Sequence, residues 1–198
     1  KHTDDIKEAD LVLLNTCAIR DHAEQKVFAD IGVLDKIKKT NPNFIFGMCG
    51  CMAQEASVVE EILRDYKFVN FVFGTHNLYQ LPNIIDKAIE ENEQQIEVFS
   101  REGDLVEGLP VIRSNNYKAY VNIIYGCDKF CTYCIVPYTR GRERSRKKED
   151  ILTEIRDLIN DGYKEVTLLG QNVNAYGKDL YDDYNLGDLL EEIALMGI

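Results

Sequence analysis

A chain of 198 residues with 45% apolar content is long enough to bury one large or two modest globular cores, which excludes disorder along its whole length. Its 23 basic and 34 acidic residues leave a net charge of −11, which argues against a general polyanion-binding surface, because long-range repulsion slows the encounter. No apolar stretch reaches the ~18 residues of a membrane span and no cleavable signal pattern opens the chain, so the expected location is the cytoplasm.

The first residue is Lys1 rather than Met, and the residues after it read as the end of an element, so a fragment of a longer protein is expected. From Ala9 to Glu93 the pattern alternates strand and helix three times. Leu11 to Leu14 is a short apolar run, and Val27, Phe28, Ile31, Leu34 and Ile37 then recur at helical spacing until Asn41-Pro42 stops them. Phe44 to Cys49 reads as a second strand, and Val58, Val59, Ile62, Leu63 and Tyr66 as a second helical face. Phe68 to Phe73 is a third strand, followed by a third helix bearing Leu81, Ile84, Ile85, Ala88 and Ile89. This order implies a parallel sheet covered by helices on both faces, a three-layer α/β domain over residues 1–91, with sites at the carboxyl ends of its strands.

Residues 92–116 mix charge with Gly103, Gly108 and Pro110 and show little periodicity, which suits an inter-domain linker. A second α/β pattern over residues 117–198 has a strand Tyr117–Tyr125, a helix Lys148–Asn160, a strand Glu165–Leu169 and a helix Leu186–Met196. Those are two βα units. An eight-fold barrel needs roughly 200 residues, so this second domain is expected to be incomplete.

The six cysteines, in a reducing compartment, point to metal, cluster or catalysis rather than to disulfides. Cys127, Cys131 and Cys134 form C-x3-C-x2-C in the loop leaving the strand Tyr117–Tyr125. Such short spacings let three sulfurs converge on one inorganic centre without a long closure cost. Zinc with three protein ligands is one occupant, although catalytic zinc more often takes histidine and carboxylate. A [4Fe–4S] cluster is the other, and three thiolates would leave one iron open to a substrate or cofactor. Just beyond, six cations against Glu143 give Arg140–Lys148 a net of +5, so that the total of −11 leaves −16 on the rest. From charge alone, such a run reads as a solvated loop.

C-x3-C-x2-C with Tyr133 just before its last cysteine, at the end of the first strand of an α/β unit, resembles the radical S-adenosylmethionine (SAM) enzymes. In that family the open iron chelates the amino and carboxylate groups of SAM, and reductive cleavage of the sulfonium yields a 5′-deoxyadenosyl radical. Asn15-Thr16-Cys17 after the first strand and Gly50-Cys51-Met52-Ala53-Gln54 after the second are similar to the methylthiotransferases of that superfamily. Their amino-terminal domain holds a second [4Fe–4S] cluster with three cysteines. The resemblance runs through essentially all 198 residues. It implies a methylthiotransferase domain whose first strand and first cysteine are missing, followed by the first two βα units of a radical SAM, TIM-like barrel.

By this resemblance Cys127, Cys131 and Cys134 hold the SAM-binding cluster, and Cys17 and Cys51 belong to the auxiliary, sulfur-donating one. Tyr133 lies beside the adenine of SAM, and Gly170-Gln171-Asn172 ends the second barrel strand where the methionyl amino group binds. A glycine there permits close approach to a ligand, or simply a left-handed turn. Cys49 is expected in the core by strand alternation, with Cys51 in the loop. Arg140, Arg142, Arg144 and Arg146 become candidates for an RNA phosphate backbone or, Arg146 among them, for the SAM carboxylate. His2, His22 and His76 read as surface residues.

Asn15 to Glu24 and Arg140 to Arg146 are most similar to the MiaB-type branch, which converts N6-isopentenyladenosine beside the tRNA anticodon into its 2-methylthio derivative. The implied partners are that tRNA and a flavodoxin- or ferredoxin-like electron donor, with the protein a monomer, no membrane and no catalytic side chain beyond the cluster ligands. Two alternatives stand beside this. One is a sister branch acting on threonylcarbamoyladenosine in tRNA or on a ribosomal-protein aspartate. The other is an iron–sulfur or zinc binding module without chemistry.

Overall fold

A computed structural model describes residues 3–18, 21–91, 93–98, 105–113 and 115–198, with the side chains of residues 21–24 outside the description. The expectations for His2 and His22 therefore fall outside the described residues, as do Ile19, Arg20 and part of the expected linker. The chain divides into two compact units, Lys1–Gly103 with Tyr133–Thr139, and Asp104–Thr132 with Arg140–Ile198.

The first unit is built on a parallel sheet of four strands in the order β1 (Leu11–Thr16), β2 (Ile45–Gly50), β3 (Phe71–Phe73) and β4 (Gln95–Glu97). Helices α1 (Asp21–Thr40), α2 (Ala56–Asp65) and α3 (Leu81–Glu91) make the connections. Strand alternation sorts the apolar side chains onto two faces. On one, Phe46, Met48 and Val72 meet Val27, Ile31 and Leu34 of α1 and Val58 and Ile62 of α2. On the other, Cys49, Phe71 and Phe73 meet Ile84 and Ala88 of α3. This is the expected three-layer arrangement. Gly47 in the central strand is required by packing, because a Cβ there would come within 2.0 Å of the Phe71 ring.

Residues 92–116 are not a plain linker. β4 lies within them and pairs with β3 through Phe71↔Gln95, Val72↔Ile96 and Phe73↔Glu97. Three residues with one apolar side chain carry no periodic signal; the free edge of β3 makes this segment a strand.

In the second unit, β5 (Lys118–Asn122) pairs in parallel with β8 (Glu165–Leu169) in the register Lys118↔Glu165 through Asn122↔Leu169. Helices α5 (Lys148–Asn160) and α6 (Leu186–Leu195) cover one face of the pair. Ala119, Val121, Ile151, Ile155, Leu158, Leu189 and Ile193 are all buried in a single core. These are the two expected βα units. The single strand expected over Tyr117–Tyr125 is broken, however. After Ile123 the chain leaves β8, and β6 (Ile124–Tyr125) pairs antiparallel with β7 (Arg144–Ser145). The cysteine motif is therefore carried between the arms of a hairpin, with the short helix α4 (Val136–Thr139) near the far end of the loop.

Candidate cluster-binding sites

The pairing of β1 with β2 sets the first pair of thiols. Thr16 lies opposite Gly50, so Cys17 and Cys51, each one residue further on, leave adjacent strand ends in register. The Cys51 N–H donates to the Thr16 carbonyl at 3.1 Å, and the buried Thr16 hydroxyl donates to the Cys49 carbonyl at 2.6 Å. Neighbouring parallel strands run about 4.8 Å apart, which places the two backbones within reach of one small cluster. Cys17 is exposed. Cys51 is only 1% exposed, so it forms the floor of this strand end rather than part of an open loop. Cys49 points into the core against Phe71 and Phe73, as alternation requires, and burial pushes its thiol up to about 11. Gln54 closes over the end of β3, its Oε1 lying 1.9 Å from where a Gly74 Cβ would stand. His76, expected at the surface, is half-buried with its Nε2 shielded from solvent.

The second set of thiols sits in a loop with a closed neck. Beyond the β6–β7 ladder, the Cys127 N–H donates to the Gly141 carbonyl at 3.1 Å. The Asp128 N–H donates to Glu143 Oε1 at 3.2 Å, and the Glu143 N–H donates to Asp128 Oδ1 at 3.3 Å. Gly126, at a φ of 78°, is required here, since a Cβ would lie 2.0 Å from the Arg142 carbonyl. Between the first two cysteines Phe130 holds a φ of 46°, a left-handed conformation that costs a non-glycine residue about 1–2 kcal/mol. Cys127 is buried at the base of the loop, Cys134 is half-buried and Cys131 is exposed.

The end of β8 meets this loop from the other side. Gln171 Oε1 accepts from the Gly126 N–H at 2.7 Å, and Asn172 Nδ2 donates to Glu143 Oε1 at 2.7 Å. Gly170 is not in a left-handed turn, and a Cβ there would lie 2.3 Å from Ile124 Cγ2, so strand packing by itself demands glycine. Tyr133 is 93% exposed, leaving its ring free of protein packing.

The basic run divides. Arg142 is exposed and lies 5.8 Å from the Phe130 ring centroid and 3.6 Å from Asp128. Arg140 and Arg144 are half-buried, and burial lowers the pKa of Arg144. Arg146 corrects the expectation of cofactor contact. Its side chain is 8% exposed and donates to both oxygens of Glu107, to Glu154 Oε2 at 2.8 Å and to the Asn122 carbonyl at 2.7 Å. Burial alone would lower its pKa, but the two carboxylates outweigh that and raise it. Arg113 also pairs with Glu154, at 2.7 Å, so this network around the buried Arg146 ties residues 107 and 113 to α5.

Among the described residues no three histidine, cysteine or carboxylate side chains converge as a metal site. The donor chemistry nevertheless fits iron–sulfur clusters. None of the six cysteines is in a disulfide, three of them lie on one loop and two at adjacent strand ends, and thiolate is the soft ligand such clusters take. Glu143 and Asp128 escape a reading by motif, since both are lone acids whose partners come from chain segments distant in sequence.

Uncharacterized protein family UPF0004 matches residues 1–74, and the radical SAM superfamily matches residues 121–196. A tRNA-2-methylthio-N(6)-dimethylallyladenosine synthase of Malacoplasma penetrans is 58% identical over 200 residues, spanning 100% of this chain and 41% of that protein. Proteins of the same name from Staphylococcus haemolyticus and Staphylococcus aureus are each 58% identical over 197 residues, spanning 99% of this chain and 38% of their own. The chain thus joins a UPF0004 region to a radical SAM region and is similar along its whole length to these synthases. It spans about two fifths of the length of the curated relatives it matches. The radical SAM superfamily, which residues 121–196 match, uses SAM and an iron–sulfur cluster. Among the described residues no helix is long and apolar enough to cross a membrane.

Proposed function

We propose that this chain is part of an enzyme that places a methylthio group on C2 of the adenine of N6-isopentenyladenosine, the same group as N6-dimethylallyladenosine, in tRNA. The observation that carries this reading is 58% identity, along the whole chain, to relatives that bear that activity in their names. An aromatic C–H of this kind has no acidic proton for a general base to remove. When bound, the SAM-binding cluster supplies reductive cleavage of the SAM sulfonium and thereby a radical able to take that hydrogen.

Within this reading, Cys127, Cys131 and Cys134 hold the SAM-binding cluster, and the closed neck fixes the base of their loop. Tyr133 offers an exposed ring to the adenine of SAM. Gln171 and Asn172 bring the end of β8 against the same loop, at the carboxyl end of a parallel strand where such folds bind ligands. Cys17 and Cys51 contribute to a second cluster that supplies sulfur. The exposed Arg142 beside Phe130 pairs a cation with an aromatic face, a combination suited to an RNA phosphate and base. Arg146 maintains the unit instead. A flavodoxin- or ferredoxin-like donor would supply electrons.

Nucleoside analysis of tRNA from a strain lacking the gene tests the substrate. The 2-methylthio derivative of isopentenyladenosine disappears and returns on complementation, with the unmodified isopentenyl nucleoside accumulating meanwhile. Undiminished 2-methylthio-isopentenyladenosine would falsify the assignment.

A further inference from the structure

We infer that Glu143 is a positioning residue for the cluster-bearing loop, its single oxygen Oε1 joining the backbone of the loop's base to the end of β8. The inference rests on the proposal that Cys127, Cys131 and Cys134 hold a cluster. Oε1 accepts the Asp128 N–H at 3.2 Å and Asn172 Nδ2 at 2.7 Å. The reciprocal bond from the Glu143 N–H to Asp128 Oδ1 at 3.3 Å closes a two-way clamp around the residue after Cys127. Next to it, Gln171 Oε1 holds the Gly126 N–H at 2.7 Å. Residues 126 to 128 are thus gripped by the returning arm at 141–143 and by Gln171, while Asn172 braces Glu143.

This grip has a physical purpose that charge alone does not supply. Cys127 is the buried member of the motif and Cys131 the exposed one, so the base of the loop is the part whose position can be set before a ligand arrives. Groups that hold a ligand's backbone or side chain contribute to the affinity and electronic state of a bound metal centre, and their loss commonly costs about 10–100-fold. Glu143 is also the acid inside the basic run Arg140–Lys148, where it stands apart from its neighbours in sign and in partners.

The test uses the full-length enzyme carrying Cys17→Ala and Cys51→Ala, so that only the SAM-binding cluster contributes, reconstituted under anaerobic conditions. Iron release to a chelator and the electron paramagnetic resonance spectrum of the reduced cluster, with and without SAM, are compared for Glu143→Ala and Glu143→Gln. Glutamine keeps a neutral oxygen acceptor whose bonds are about half as strong as those of a carboxylate, so its iron release stays within about threefold of the parent. Alanine releases iron about 10–100-fold faster and loses the spectral change on adding SAM. Parent-like behaviour of the alanine variant, or equal loss in both variants, overturns the inference while leaving the cluster assignment intact. A parent that takes up no cluster overturns both.

Discussion

Cys127, Cys131 and Cys134 occupy one stretch of eight residues, whereas Cys17 and Cys51 are 34 residues apart in sequence and come to adjacent strand ends only because Thr16 of β1 pairs with Gly50 of β2. The first set is therefore a property of a loop and of the hydrogen bonds that close its neck. The second is a property of a folded sheet, and any change that shifts the register of β1 against β2 moves one thiol away from the other. The same contrast holds for burial: the loop set runs from buried Cys127 to exposed Cys131, while Cys51 lies in the floor of the sheet end with Cys49 immediately behind it in the core.

The largest expected effect comes from the loop set. Cys127→Ala in the full-length enzyme takes both 5′-deoxyadenosine formation and methylthiolation to background, measured by chromatography of a single reaction. Retention of either activity would contradict the assignment of that loop to SAM cleavage.

Next comes the ion network around Arg146, which belongs to neither set. Arg146→Ala removes the cation shared by Glu107 and Glu154, and because both carboxylates can take up water the loss should be that of charge-assisted hydrogen bonds, about 1.5–3 kcal/mol. Urea unfolding should show the loss in the transition of the second unit alone.

Two glycine substitutions separate the sets more finely. Gly47→Ala drives a methyl into the Phe71 ring and should cost about 1–3 kcal/mol, loosening β2 and impairing the Cys17–Cys51 site first. Gly126→Ala meets the Arg142 carbonyl at a left-handed φ and should impair SAM cleavage first. Iron content and 5′-deoxyadenosine yield of the two variants read out the difference, and identical profiles would break the comparison.

The smallest effect is one of pH. Burial raises the Cys49 thiol from 9.0 to about 11, so the unfolded chain gives up this proton before the folded one does. The corresponding stability is fully present below about pH 9 and is lost as pH climbs toward 11. Comparing urea midpoints of the parent and Cys49→Ala at the two ends of that window should show a steeper decline for the parent.

Much of this was legible from residue order. The α5 and β8 boundaries come from apolar spacing at 3.6 and from a compact β-branched run, and alternation along β2 separates Cys49 from its neighbours. What escaped depends on contacts between distant segments. β4 has one apolar residue and becomes a strand only beside β3. The break after Asn122 is invisible within the run Tyr117–Tyr125, since the same residues suit one strand or two; the partner of Ile124, Ser145, decides it. Arg146 looked like its basic neighbours because charge pattern does not reveal burial, and of its two carboxylates Glu107 lies 39 residues away while Glu154, eight residues on, sits within a helix whose exposed face is also charged. Glu143 was hidden for the same reason among the cations around it.

The central claim is that the two thiol sets do different work, and Cys51→Ala in the full-length enzyme tests it most directly. With SAM, reductant and tRNA bearing isopentenyladenosine, 5′-deoxyadenosine and 2-methylthio-isopentenyladenosine are quantified together. The account predicts that 5′-deoxyadenosine continues to form while the methylthio nucleoside is absent. Equal loss of both products would contradict it.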